Sequence, residues 1–296
     1  MSGASPDAAL LRTFSSAPPL WPAYARALVS RKPALAPAAT RMPALQARLA
    51  GQRSAPARLQ RYREVCGFAG AACMPITWPH VLAFPLHMAL LTAPAFPVRL
   101  LGLVHVANRI TRHQDMGAEQ ALDLDCRLPG LRETERGQEF ELSTEAHCAG
   151  QLVWSETSTF LARRRAPVRT AAAPPDATAL PQGHDTVTWH AAADIGRRYA
   201  RVSGDINPIH LSTSSARLFG FQRAIAHGMW SLARAAAQLE SASGRHIVEL
   251  DAAFKLPVLL PAQVRLHTWE GPQESQYVLT DAHELKPHMS GKFRLL

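Results

Sequence analysis

Cysteine is scarce in this 296-residue chain: Cys66, Cys73, Cys126 and Cys148 are widely spaced and form no CxxC pair. That spacing argues against a disulfide framework and against a zinc site. Long apolar runs are missing too. The most apolar stretch, residues 81–91, is broken by Pro85 and His87 and falls well short of the roughly 20 residues that cross a bilayer. The first residues, Met-Ser-Gly-Ala-Ser-Pro-Asp, lack the basic segment followed by an apolar one that marks a secretory signal, so a cytoplasmic location is expected. Acidic residues are fewer than basic ones, 23 against 32, for a formal charge of +9. Such a balance suits an anionic partner, for example a nucleotide-bearing cofactor or an acidic carrier protein. Aromatic residues make up 7% and are not interleaved with basic ones, so nucleic-acid binding is not expected. The cluster Arg163-Arg164-Arg165 reads as a solvated charge run.

What is present is a globular composition, 47% hydrophobic and 19% charged, long enough for two domains. Residues 162–185 are rich in Pro, Ala and Arg without apolar periodicity and read as a linker. They divide residues 1–161 from residues 186–296. The first forty residues are rich in Ala and Pro as well, although Leu20-Trp21-Pro22-Ala23-Tyr24 looks like a segment that docks on something. In the second part Ile225, Met229, Leu232, Ala236 and Leu239 fall on one helical face that ends before Ser243-Gly244. Strand patterns follow over residues 247–254, 261–269 and 276–281. The first part repeats this order, with a helix over residues 82–93 and strands over 100–110, 121–128, 140–148 and 152–161. One helix followed by several antiparallel strands, twice over, predicts two copies of one α+β unit. Tyr62-Arg63-Glu64-Val65-Cys66-Gly67-Phe68 aligns with Tyr199-Ala200-Arg201-Val202-Ser203-Gly204-Asp205. This places Phe68 opposite Asp205 and Cys73 opposite His210. With a six-residue insertion it also places Pro85 opposite Gly228.

Chemistry concentrates in Ser203-Gly204-Asp205-Ile206-Asn207-Pro208-Ile209-His210. A carboxylate and an imidazole five residues apart, with Asn-Pro between them to force a turn rather than a helix, can aim at one small volume. Around one water such a pair can remove and deliver protons. Downstream, His227-Gly228-Met229 stands at the predicted start of the long helix. Backbone N–H groups there are unpaired and lie at the positive end of the helix dipole, which suits an oxyanion.

Tyr199 through His210, followed by Ala216, Gly220-Phe221 and Ile225-Ala226-His227-Gly228-Met229, resembles the motif of the MaoC-like (R)-specific enoyl-CoA hydratases and 3-hydroxyacyl-thioester dehydratases, the hydratase-2 type. Every fixed position of Tyr/Phe, Ser/Thr-Gly-Asp-x-Asn-Pro-Leu/Ile/Val-His is met. The resemblance is good over residues 185–296. Over residues 15–160 it rests on Met74-Pro75-Ile76-Thr77-Trp78-Pro79-His80 and Gly102-Leu103-Val104-His105, as in the first half of double-hotdog members. It implies a tandem hotdog fold, each repeat a long helix wrapped by a curved antiparallel sheet, with the two sheets joined edge to edge. It also implies reversible hydration of trans-2-enoyl thioesters to (R)-3-hydroxyacyl thioesters on CoA or an acyl carrier protein. Asp205 and His210 would hold the water and the Gly228 N–H would bind the thioester oxygen, with no cofactor and no metal. A hotdog acyl-CoA thioesterase and a non-catalytic acyl-thioester-binding subunit are the alternatives, and a homodimer stays open.

Further candidates have plainer readings beside them. Asn207 fixes the turn or contacts substrate. Ser203, a binding candidate, lacks the surroundings of a nucleophile. His227 caps or orients the helix start. Leu218, Phe219 and Phe221 form a flap over the acyl entrance or pack in the core, and Phe221 is retained for substrate binding. His87 and His105 are read as packed core residues. Phe68, with Phe84 and Leu86, would line the acyl tunnel from a first repeat that has lost its own chemistry.

Overall fold

A computed structural model describes residues 10–38, 40–70, 73–164, 185–271, 274–284 and 286–296. The first half runs β1 (Leu10–Phe14), α1 (Leu20–Val29), β2 (Leu45–Gln52), α2 (Pro56–Cys66), α3 (Trp78–Leu91), β3 (Leu103–Arg112), β4 (Leu122–Leu128), β5 (Arg132–Thr134), β6 (Gly137–Cys148) and β7 (Gln151–Arg163). The second runs β8 (Asp185–Ala191), α4 (Ile195–Ser203), α5 (Pro208–Leu211), α6 (Thr213–Arg217), α7 (Gly228–Ser243), β9 (Ile247–Phe254), β10 (Ala262–Trp269), β11 (Ser275–Asp281) and β12 (Pro287–Leu295).

All twelve strands belong to one sheet, ordered β1-β2-β4-β6-β7-β3-β9-β12-β11-β10-β8, with β5 paired to β6 off this path. From the seam between β3 and β9 outward the two halves read alike. β3, β7, β6, β4 and β2 on one side answer β9, β12, β11, β10 and β8 on the other. The seam itself is antiparallel, with Ala107 opposite Ala253 and Thr111 opposite Glu249. The chain thus has the expected α+β tandem hotdog architecture, with the sheets joined edge to edge. β1 is an addition, running parallel to β2.

The same local chemistry shapes the first helix of each half. α2 begins with Pro56, whose fixed φ suits the first helical position, and ends at Gly67, with φ 82°. α4 ends at Gly204, with φ 85°. Both glycines adopt the left-handed conformation that closes a helix at no steric cost. These helices pack on each other, with the Tyr62 and Tyr199 rings 6.1 Å apart. The sheet wraps the buried faces of α3 and α7, and the main core spans both halves through Leu82, Leu86, Trp154, Leu232, Ala236 and Leu250.

Several sequence-based expectations need correcting. The first long helix starts at Trp78, not residue 82, because Pro79 occupies its first turn, where a proline loses nothing. Pro85 therefore lies inside α3 and is not the counterpart of Gly228. By position, Thr77 and Trp78 answer His227 and Gly228. Ile225 precedes α7 and bridges to Leu259 instead. Pro208 does not prevent a helix but opens one, the single turn α5 capped by Asn207. Of the residues expected in the linker, 162 and 163 belong to β7 and 185 opens β8, while residues 165–184 lie outside the described residues. β2, β8 and β12 were not anticipated.

Candidate active site

The turn that follows α4 is built by its own polar groups. The Ser203 hydroxyl donates to the Tyr199 carbonyl at 2.9 Å and accepts the Asp205 N–H at 3.1 Å. Asp205 Oδ1 accepts the Asn207 N–H at 3.1 Å, and Asn207 Oδ1 accepts the Ile209 N–H at 3.4 Å. Ser203 and the Asn207 carbonyl are thus engaged in shaping the chain. Gly196 makes the approach possible: a Cβ on it would lie 2.0 Å from the His210 carbonyl oxygen. Sequence reading missed Gly196, because a glycine inside a helix gives no sign of what it faces.

His210 is buried, and its Nδ1 donates to the Ile225 carbonyl at 2.8 Å. That bond fixes the tautomer and leaves Nε2 with its lone pair. The His227 ring stacks on the His210 ring with centroids 3.6 Å apart. Its Nε2 donates to the Asp205 carbonyl at 2.9 Å, and its buried Nδ1 has no partner among the described residues. One ligand-capable atom each of Asp205, His210 and His227 lies within 4.8 Å of the other two. With His227 Nε2 and His210 Nδ1 both committed to carbonyls, the unengaged capacity is that of the Asp205 carboxylate, His210 Nε2 and the buried His227 Nδ1. A carboxylate and an imidazole nitrogen placed in this way can take and deliver protons around one water.

Burial sets the ionisation of the imidazoles. It lowers the His227 pKa to about 3, helped by His210 alongside, and it lowers that of His210 although the Asp205 charge opposes it. Both rings are neutral at neutral pH. Burial works against a charge on Asp205, but the neighbouring imidazoles, the Asn207 N–H and a tyrosine hydroxyl outweigh it and hold the carboxyl below its ordinary value. Asp205 keeps 31% of its side-chain surface open. A site with an ionised carboxylate beside a neutral imidazole results.

That hydroxyl is Tyr24, 181 residues away on α1, which donates towards Asp205 Oδ1 at 3.2 Å. The first half contributes more. Arg58 donates to the Val202 carbonyl at 2.8 Å and to the Ser203 carbonyl at 3.3 Å, at the end of α4 where its charge also meets the helix dipole. Leu20 and Phe84 stand against Gly204, where a Cβ would lie 2.5 Å and 3.8 Å from them. Gly228 is the first residue of α7, so its N–H belongs to the unpaired first turn. A Cβ on Gly228 would lie 3.1 Å from the Phe254 ring, closer than ordinary van der Waals contact.

The remaining candidates fall elsewhere. Phe68 stacks on Tyr62 at 6.3 Å, at the first copy's own turn. Leu218 and Phe219 are exposed, which removes the core reading for them, while Phe221 is half-buried with its N–H on the Ala216 carbonyl at 3.2 Å. His87 is buried, its Nε2 2.8 Å from Thr144 Oγ1.

Comparison with known proteins bears on the family. Residues 171–279 match the MaoC-like domain family. The chain is 34% identical over 245 residues to 3-hydroxyacyl-thioester dehydratase X of Mycobacterium tuberculosis, covering 81% of this chain and 85% of that one. The crystal structure of HtdX from the same organism superposes with a TM-score of 0.72 at 30% identity, over 85% of this chain and 100% of that one. Another M. tuberculosis protein, described as having a double hotdog fold, matches with a TM-score of 0.51 at 13% identity over 81% of this chain and 88% of that one, a likeness of fold alone. Among the described residues no helix is long and apolar enough to cross a membrane. With this turn, this helix start and these relatives, the chain belongs to the MaoC-like dehydratases and is a hydro-lyase.

Proposed function

We propose that the protein interconverts trans-2-enoyl and (R)-3-hydroxyacyl thioesters by adding or removing water. The observation that carries this reading is the ionised Asp205 within 4.8 Å of a neutral His210, beside the unpaired N–H of Gly228. In hydration, water held between Asp205 and His210 Nε2 forms a bond to C3 as His210 takes its proton. The C2=C3 electron pair moves onto the thioester oxygen, where the Gly228 N–H and the α7 dipole stabilise the developing charge. The imidazolium, paired with Asp205, then returns the proton to C2, so one water is added and the enzyme is restored. Dehydration is the reverse. His227 acts as a brace, holding the Asp205 carbonyl and the face of His210. The 34% identical relative, named a 3-hydroxyacyl-thioester dehydratase, supports the substrate class. The positive charge suits a CoA or acyl-carrier-protein thioester.

The test is the enone absorbance of trans-2-enoyl-CoAs of graded chain length offered to purified protein, with free thiol assayed in parallel. Loss of absorbance without thiol release is expected. Thiol release would identify a thioesterase, and tight binding without either change a non-catalytic subunit.

A further inference from the structure

The segment around Leu20-Trp21-Pro22-Ala23-Tyr24 is a helix laid across the catalytic turn. α1 buries only Ala23, Tyr24 and Ala27. Ala23 and Tyr24 form a small apolar cluster with Met88, and Leu20, Phe84 and Leu100 pack against it. Two alanines on the buried face let the helix come close, so that the single large side chain between them reaches the turn. Its far end is tied down by Arg26 on Thr92 Oγ1 at 3.4 Å and by Lys32 Nζ on the Ala93 carbonyl at 2.5 Å.

At the near end one oxygen atom serves three partners. The Tyr24 hydroxyl accepts the Ile206 N–H at 2.8 Å. It lies 3.1 Å from the Gly204 carbonyl and 3.2 Å from Asp205 Oδ1, so its proton is shared between them. The groups touched are the residue before Asp205, Asp205 itself and the residue after it. A bond to a carboxylate from a buried hydroxyl fixes the carboxylate rotamer and favours its charged form.

We propose that Tyr24 is a positioning residue for the reaction, and that α1 is a strap from the first half of the chain that sets the geometry of the Asp205 carboxylate. This rests on Asp205 being the carboxylate of the site. Tyr24 acts through Asp205 and touches neither water nor substrate. The other titratable side chains whose charge is felt at Asp205 are His210 and His227 from its own half, Tyr199 from α4 and His105 from β3. None of them is changed by a substitution at position 24.

Tyr24→Phe removes one oxygen and leaves the ring in its apolar cluster. The expected result is a fall in kcat of about ten- to a hundredfold, the usual worth of a hydrogen bond to a charged group, with KM for a trans-2-enoyl-CoA within about twofold. The acid limb of the kcat/KM profile should move to higher pH by about one unit, because the carboxylate has lost a donor. Trp21→Ala on the exposed side of the same helix is the control and should leave both readings unchanged. Wild-type kcat and an unmoved acid limb in Tyr24→Phe, with Asp205→Asn inactive, would overturn the strap while leaving the proposed function standing. Full activity in Asp205→Asn would instead sink the function on which the strap depends. If Tyr24→Phe does not fold, 3-fluorotyrosine at position 24 decides. As a stronger donor it should move the acid limb to lower pH, and an unmoved limb refutes the proposal.

Discussion

The two copies use one backbone device for opposite ends. In each, a helix closes on a left-handed glycine, Gly67 or Gly204, and a tyrosine one turn earlier, Tyr62 or Tyr199, reaches the start of the next long helix. Tyr62 meets the Thr77 hydroxyl at 2.8 Å, whereas the Tyr199 ring packs on His227 at 4.9 Å. After the glycine the first copy has Phe68 and the second Asp205. At the helix start the first copy's Trp78 N–H is already bonded to the Pro75 carbonyl at 2.9 Å, and Pro79 has no N–H to offer. A handful of side chains and one occupied N–H separate the turn to which we assign the chemistry from its counterpart in the first copy. The first copy keeps its own buried polar groups, but deeper. Glu156 Oε1 lies 2.7 Å from His80 Nδ1 and close to Asn108 Nδ2, between α3 and the sheet. Burial opposes its charge, yet His80 and these hydrogen bonds lower its pKa to about 2.

If the copies are as unequal as this, Asp205→Asn and His210→Ala should each lower turnover by about two to four orders of magnitude with little change in substrate affinity. Steady-state kinetics on trans-2-enoyl-CoAs would show it. About half the wild-type rate in Asp205→Asn would reveal a second working site and end the comparison. Glu156→Gln tests the other side: loss of about 3–5 kcal/mol of stability by urea unfolding, the cost of breaking a buried pair, with kcat nearly unchanged. A collapse of kcat with stability intact would move the chemistry into the first copy.

The paired glycines sharpen the contrast. Gly204→Ala and Gly67→Ala both force a side chain into the left-handed region, which costs about 1–2 kcal/mol, and thermal melting should record similar losses. Activity should separate them. At Gly204 the new Cβ meets Leu20 of the strap at 2.5 Å, whereas at Gly67 it meets the end of the flexible Arg234 side chain at 2.7 Å. Only the first should depress kcat.

An effect on stability alone is shared by both copies. His87 and His227 have pKa values lowered to about 3 and His105 to about 4, by burial first of all. These groups take up protons in the unfolded chain before the folded one, so their contribution is complete above about pH 6.5 and is lost as pH falls towards 3–4. Each adds a slope of up to about 1.4 kcal/mol per pH unit within that window. Urea midpoints measured from pH 8 to pH 4 should be flat at first and then fall. A midpoint that rises on acidification would contradict neutral, buried histidines.

The turn proposed to be catalytic is legible because its polar residues act within a few positions of each other: Asp205, Asn207 and His210 fold on themselves. β9 was read to the residue, since residues 247–254 have the β-branched and alternating pattern of a half-buried strand. β12 escaped notice because Gly291 and Lys292 dilute its pattern, although its Met289, Ser290 and Phe293 pair with β9. The start of α3 is hidden in the sequence because Pro79, a helix breaker at any later position, sits in its first turn, where a proline loses nothing. Tyr24 and Gly196 were out of reach for a different reason. Their meaning lies in contacts 181 and 14 residues away, and no local period announces a side chain that closes another segment's hydrogen bonds.

The seam between β3 and β9 has a consequence for concentration. Two separate hotdog chains would pair by collision and part on dilution, and an active copy could meet either kind of partner. Carried on one chain, the halves face each other at an effective concentration on the order of millimolar, however dilute the protein. The ratio of the copy that carries the Asp-His turn to the copy that braces it is therefore fixed at one to one, and that fixed ratio allows one copy to abandon its own turn without leaving any site unsupported.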